Sequence, residues 1–333
     1  MVNTTPTFQG KPNLSGDEDA LFLKMFSGEV LKTFNQKNKI LPLIKTKTIG
    51  AGKTFAWPKV SQAVANYHVR GEDLLTGSNG YIHDFGHNEV LINVDKILLS
   101  ATLVDEWEEL VNHYDARSIY ASELGAALAN RMDKQLFGLM INSAREQATL
   151  STQRDGAVTD YEQTPKDGTI ITEATSNTSP TAMLNAMVKG ATAFAEKDVP
   201  MDEIYFFVRP SMYFELAREE KLVNRDYAVE NGGPVEGKVF RGYGFNIMFS
   251  NNIPDGTVSA DPGEKNTYSG SYNTTTAVGF HKEAICTVMR RGIVSRADYQ
   301  ERNLATLLQS HIVCGHGTLR PECAIEVRTG PPA

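Results

Sequence analysis

The stretch "DEWEELVNHYDARSIYASELGAALANRM" (Asp105–Met132) carries a helical repeat that continues through "DKQLFGLMINSAREQ" to about Gln147. At about 100° per residue one face collects Trp107, Leu110, Val111, Tyr114, Ser118, Ala121, Gly125, Leu128, Ala129, Met132, Leu136, Leu139 and Met140. Such a helix reaches roughly 60 Å at ~1.5 Å per residue. A compact chain of this size has a diameter of only about 50 Å. The helix therefore either breaks at a glycine or belongs to a molecule that is not an ordinary globule. Its apolar stripe narrows at Ser118, Ala121 and Gly125, where small residues let another backbone cross. Gly125 and Gly138 each cost about 1 kcal/mol relative to alanine and are candidate bends. Ile119, Tyr120, Phe137 and Ile141 lie off the stripe. Two readings stand for them: a second layer of the same chain, or a neighbouring subunit.

Working outward, "DEDALFLKMFSGEVLKTFNQ" reads as an amphipathic helix starting near Asp17–Asp19, with acids at its N-terminus. "TFAWPKV" is a strand that Pro58 confines to an edge. The next 35 residues read as an extended two-stranded excursion around the turn signal "TGSNG". "EVLINVDKILLSATLV" then reads as one long strand feeding the long helix. Residues 148–180 are rich in Thr, Ser and Gly and mark a boundary, with a possible hairpin at "DGTIITEA". Beyond it helices alternate with strands: "AMLNAMVKGATAFAEK", "EIYFFVRP", "SMYFELAREEKLV", "GFNIMFSNNIP". That order predicts a mixed α/β unit. The polar run "DGTVSADPGEKNTYSGSYNTTT" reads as an exposed loop, and two closing strands from about Ser295 read as returning to the first unit.

The 333 residues are 41% hydrophobic and 22% charged, which suits a folded chain with two or three cores. Three cysteines fit no disulfide framework and suit a reducing compartment. The polar start and the lack of a long apolar run predict a soluble protein with no membrane partner. The net charge of −7 argues against global affinity for nucleic acid. Residues 21–60 nevertheless carry +7, leaving −14 on the rest. This lysine-rich segment, which includes Lys37, Lys39, Lys45 and Lys47, has three readings: a nucleic-acid contact, a dock for the acidic surface of another copy, or a solvated stretch.

Enzyme signatures fail on inspection. "GAGKTFAW" lacks the leading glycine of a phosphate loop, and a β-rich run with Pro58 follows where a helix is required. His83 and His87 bracket Asp84 in a glycine-containing stretch unsuited to helical metal spacing. Cys314, His316 and Cys323, with Cys286 and His311, offer one short-spaced pair, where structural zinc uses two. No nucleophile elbow or marked acid pair occurs. No catalytic residue, cofactor or metal is expected.

Three long motifs decide between the remaining options. "ALFLKMFSGEVLKTF" (Ala20–Phe34), "NHYDARSIYASELGAALA" (Asn112–Ala129) and "GHGTLRPE" (Gly315–Glu322) resemble the major capsid protein of T7-like short-tailed bacteriophages. "GAGKTFAWPKV", "RGEDL" and "DVP…FFVRP" fall in matching order. The resemblance covers most of the chain and is weakest at residues 1–15 and near 255–275.

It implies an α+β chain with the HK97-like capsid fold. The implied parts are an N-terminal arm (1–48), an extended β-hairpin loop (49–88), a peripheral domain with a long spine helix (89–177), an axial α/β domain (178–298), and a return to the peripheral domain (299–333). It implies a non-enzymatic subunit of hexamers and pentamers in an icosahedral shell around double-stranded DNA. A scaffolding protein and a portal protein are the implied partners, the host cytoplasm the place of assembly and the virion the destination. The alternative is an encapsulin-like compartment shell of the same fold. Expected interface residues are the four lysines above, Arg70, Glu72, Asp73, Leu74, Leu75 and Tyr81 of the loop, and Ile119 and Tyr120 of the helix. An isolated two-stranded arm is marginal in water, so a long hairpin needs a neighbour to lie on.

Overall fold

The computed structural model describes residues 18–60, 67–75, 82, 87–107, 116–146, 167–218 and 240–331; side chains are not described at 18–27, 59–60, 87–88, 116–118 and 240. In chain order the elements are α1 (Glu18–Lys37), β1 (Lys45–Thr48), β2 (Thr54–Val60), β3 (His87–Asn93), β4 (Leu98–Asp105) and α2 (Ala116–Arg145). Then come β5 (Thr169–Thr172), α3 (Pro180–Glu196), β6 (Ile204–Val208), α4 (Pro210–Leu216), β7 (Phe240–Gly242) and β8 (Phe245–Phe249). The chain closes with β9 (Thr257–Val258), β10 (Gly270–Ser271), β11 (Thr275–His281), β12 (Ile285–Gln300), β13 (Ala305–Thr318) and β14 (Ala324–Arg328).

The long helix is present over Ala116–Arg145. Its 30 described residues span roughly 45 Å. The pattern was expected to begin at Asp105, but that residue ends β4, paired with Ala305 of β13. A strand partner two hundred residues away thus takes the residue from the helix, and Trp107 is exposed rather than part of the buried stripe. Residues 108–115 lie outside those described.

Neither glycine breaks α2. A Cβ on Gly125 would stand 2.7 Å from the Val30 carbonyl oxygen, and one on Gly138 would stand 2.8 Å from that of Tyr268. Both glycines mark close approaches, and α1 makes the first across the narrow waist. There Ala121 and Leu124 bury with Val30, Val104 and Leu308. Ala121→Leu is expected to cost about 1–3 kcal/mol through overpacking. A melting profile identical to that of the parent protein would show that this crossing has slack.

Two sheets organise the rest. A four-stranded sheet runs β1-β12-β13-β4, and a six-stranded mixed sheet runs β5-β14-β11-β6-β8-β7. The apolar run "IYFFV" forms β6, buried between β11 and β8, as expected for a strand covered on both faces. Ser179 caps α3 by accepting the Ala182 amide, with Pro180 in the first turn. Phe137 and Ile141 are fully buried in the core beneath the six-stranded sheet, so for these two the second layer is the same chain.

Several sequence expectations are corrected. The expected single strand 89–104 is two, β3 and β4, in different sheets, with residues 94–97 belonging to neither strand. "DGTIITEA" is not a hairpin; its strand β5 pairs in parallel with the distant β14. Of the closing strands, β13 joins β4, whereas β14 lies in the six-stranded sheet. β12 runs in the four-stranded sheet, between β1 and β13. The polar insertion is not a free loop: Tyr268 and Tyr272 within it are buried.

Candidate subunit-interface site

β2 and β3 form a two-stranded sheet of their own at the base of the expected extended loop. Its arms pair antiparallel from Thr54↔Asn93 to Val60↔His87, with Pro58 on this two-stranded edge. The root is seated hydrophobically. Ile92 is buried with Cys286, Val288 and Leu319, and Phe55, Trp57, Val90 and Val94 pack around them.

"GHGTL" explains how the root comes so close. Alternation along β13 puts Gly315 and Gly317 on one face and Cys314 and His316 on the other. The glycine face receives the root backbone. A Cβ on Gly315 would sit 1.9 Å from the Asn93 carbonyl oxygen, and one on Gly317 would sit 2.6 Å from Ile92 Cγ1. The Asp95 amide donates to the Cys314 carbonyl at 3.0 Å. On the other face His316 is fully buried, its backbone amide donating to the Tyr268 hydroxyl at 2.9 Å and its Nδ1 2.8 Å from Thr287 Oγ1. Burial pushes the imidazole down to about 3, so it is neutral. Cys314 Sγ lies 3.7 Å from His316 Nε2, and burial pushes its thiol up to about 12. Among the described residues no group of three or more His, Cys, Asp or Glu side chains is arranged to hold a metal. His83 lies outside the described residues.

Farther out, residues 67–75 are not a strand arm as expected. They turn at Arg70–Gly71, where Gly71 takes a positive φ, and again at Leu74–Leu75. The Glu72 amide donates to the Val69 carbonyl, and the Leu75 amide to Asp73 Oδ1. Glu72 is half-buried and Arg70 and Asp73 exposed. The apolar side chains face water: Tyr67 is 99% exposed, Leu75 80% and Leu74 55%. Tyr81 and the turn "TGSNG" lie outside the described residues.

The chain is similar along its length to known proteins of one kind. The family model "Gp10A-like: Major capsid protein" matches residues 57–328. The chain belongs to this major capsid protein family. It is 27% identical to the major capsid protein of Enterobacteria phage T3 over 96% of this chain and 94% of that protein. It is 26% identical to that of Escherichia phage T7 over the same shares. Its structure superimposes on the capsid of cyanophage P-SCSP1u with TM-score 0.73 and 29% identity, covering 98% of each chain. The α+β architecture is thus the HK97-like capsid fold, and the chain is a tailed-phage major capsid protein that builds an oligomeric virion shell.

A capsid subunit needs contact surface on several sides, and the remaining predicted residues divide by position. Ile119 on α2 is 60% exposed, whereas Tyr120 packs against the Val30–Leu124 cluster. On the edge strand β4, Leu99 and Leu103 are exposed on one face. Of the lysines, Lys37, Lys39 and Lys47 are exposed and Lys45 is half-buried. Lys39 and Lys45 already have partners in their own chain. Lys39 Nζ donates to the Phe249 carbonyl and lies 4.4 Å from the centroid of its ring. Lys45 pairs with Glu283 and approaches Trp57. Sequence reasoning passed over Asp95, Asn266 and Tyr268, which bind the loop root; nothing in their local pattern distinguishes them.

One buried acid joins the segment after α1 to α2. Asp133 Oδ2 accepts the Lys39 amide and Asn252 Nδ2, while Oδ1 has no partner. Burial pushes this carboxyl up to about 6. The folded state then holds the proton more tightly than the unfolded chain, so this residue's contribution falls as pH rises from about 4 to about 6. Above that window the fully buried carboxylate costs on the order of 3 kcal/mol. Asp133→Asn is expected to stabilise the subunit at pH 8 and leave it unchanged near pH 4. Equal stability of variant and parent across pH 4–8 would show that Asp133 ionises freely.

Proposed function

We propose that this capsid protein assembles through hexamers and pentamers into an icosahedral shell around double-stranded DNA, with a scaffolding protein and a portal, in the host cytoplasm. Within that shell the extended loop is an intersubunit clamp. The observation that carries this is the pairing of a rigidly seated root with a distal segment whose Tyr67, Leu74 and Leu75 are solvated. Those side chains are too few to bury against each other, so the loop alone does not offset its ordering entropy. Laid across a neighbour, they contribute roughly 25 cal/mol per Å² of apolar surface removed from water. Arg70, Glu72 and Asp73 supply charged partners at the rim, and Tyr81 belongs to the same segment. Ile119 and Tyr120 offer a second contact on the spine helix.

Residues 1–48 act as an arm, 49–88 as the loop, 89–177 with 299–333 as the peripheral unit, and 178–298 as the axial unit. The lysine-rich segment, with Lys37, Lys39, Lys45 and Lys47, docks on acidic surface of adjacent copies. Kinship with phage capsid proteins favours a genome container over an encapsulin-like compartment. A net negative charge suits DNA that must pack and leave without sticking.

The test is removal of Leu74–Gly80. The deleted chain is expected to remain soluble with near-parental helix content and to form no closed shells in electron micrographs. Shells of unchanged heat stability would refute the clamp, and a misfolded deletion would place the loop in its own subunit's core.

A further inference from the structure

We propose that Asn266 and Tyr268 are positioning residues for the extended loop: from the insertion between β8 and β11 they fix the backbone on which the loop pivots, and so its direction of exit. This rests on the reading of the loop as an intersubunit clamp.

The insertion is anchored first to the spine helix. Asn142 Nδ2 donates to the carbonyls of Thr267 and Ser269, at 3.2 Å each. Gln135 Nε2 donates to Glu264 at 2.8 Å, and Arg131 pairs with Asp261 and Glu264. Tyr272 donates from its buried hydroxyl to the Tyr268 carbonyl at 2.7 Å, next to Gly138.

From that base the insertion grips the loop root in four places. The Asn266 amide is reciprocal with the Asn93 backbone, Nδ2 donating to its carbonyl at 2.7 Å and Oδ1 accepting its N–H at 3.2 Å. Tyr268 donates to Asp95 Oδ2 at 2.6 Å while accepting the His316 amide. The Lys265 amide donates to Asp95 Oδ1 at 2.6 Å, and the Lys96 amide to the Gly263 carbonyl at 3.0 Å.

These bonds do what the apolar seat of Ile92 cannot. Hydrophobic contact is non-directional, whereas hydrogen bonds weaken steeply off axis. The distinction matters because the loop is a lever. β3 alone carries the chain roughly 20 Å from Asn93 to His87 at ~3.4 Å per residue. A rotation of roughly 10° at the root displaces its far end by about 3.5 Å, enough to break apolar contacts that require ~4.5 Å or less. A clamp aimed by its apolar seat alone would miss its neighbour part of the time.

The experiment uses the full chain with Asn266→Ala, Asn266→Asp and Tyr268→Phe. Amide hydrogen exchange is read on unassembled subunits and shell yield by electron microscopy. Exchange in β2 and β3 is expected to accelerate about tenfold while α2 stays protected, and closed-shell yield to fall severalfold. Asn266→Asp keeps the size but loses the donor and sets a second carboxylate beside Asp95, so it is expected to be at least as damaging as Asn266→Ala. A space-filling role would leave that variant silent. Unchanged exchange in β3, or acceleration spread equally over α2, overturns the positioning role. The Leu74–Gly80 deletion serves as the separate control: shells that survive it overturn the clamp while the exchange result still decides the positioning.

Discussion

Gly315→Ala is expected to yield subunits that no longer close into shells. Gly315 needs no unusual backbone angle, so the effect is one of space. The added methyl would stand 1.9 Å from the Asn93 carbonyl oxygen and 3.0 Å from Val94 Cα. Both are main-chain atoms with no rotamer to turn away. The root must lift by more than 1 Å, which breaks the Asp95 to Cys314 bond and strains the Asn266 grip on Asn93. Overpacking commonly costs about 1–3 kcal/mol, and each lost buried hydrogen bond adds ~1 kcal/mol. Gly292→Ala is the matched control: on β12, with nothing within 4 Å of a new Cβ, it is expected to assemble normally. Equal shell yields from the two variants would show that Asn93 does not rest on Gly315.

Arg145→Leu is expected to destabilise the subunit by about 3–5 kcal/mol, the usual cost of stranding a buried charge. Arg145 closes α2 and reaches into the six-stranded sheet. Its Nε lies 2.6 Å from Glu326 Oε2, its Nη2 contacts Oε1, and Nη1 donates to the Ser271 carbonyl at 2.8 Å. Glu326 is fully buried, with Thr275 Oγ1 as a further donor. The cation also sits in the last turn of the helix, where the helix dipole favours it. Removing the guanidinium leaves a carboxylate without a counter-charge in the core. The double variant Arg145→Leu with Glu326→Leu is expected to recover much of the loss, because the apolar pair strands no charge. Denaturant midpoints measure both. A double variant as weak as the single one would mean that packing, not the unpaired charge, sets the cost.

The sequence by itself determined the elements whose signal is local and the family whose motifs are long. Helical periodicity located α2, the continuous apolar run located β6, and the helical run "AMLNAMVKGATAFAEK" located α3, because each depends on neighbours a few residues away. The small residues at the waist foretold a close crossing, since a missing side chain is visible in the sequence even when its partner is not. "GHGTLRPE" contributed to the family resemblance without revealing its own purpose. The tertiary structure alone decided that Gly315 and Gly317 clear space for the loop root, that Asp105 pairs as a strand residue, that β5 and β14 meet in parallel, and that the polar insertion is a fastening. All four depend on partners far along the chain: Asn93 lies more than two hundred residues from Gly315, and Asn266 lies 173 from Asn93. A polar run such as 255–276 satisfies its hydrogen bonds equally well in water or against a specific backbone. Composition cannot tell those states apart; only the geometry of the distant partner does.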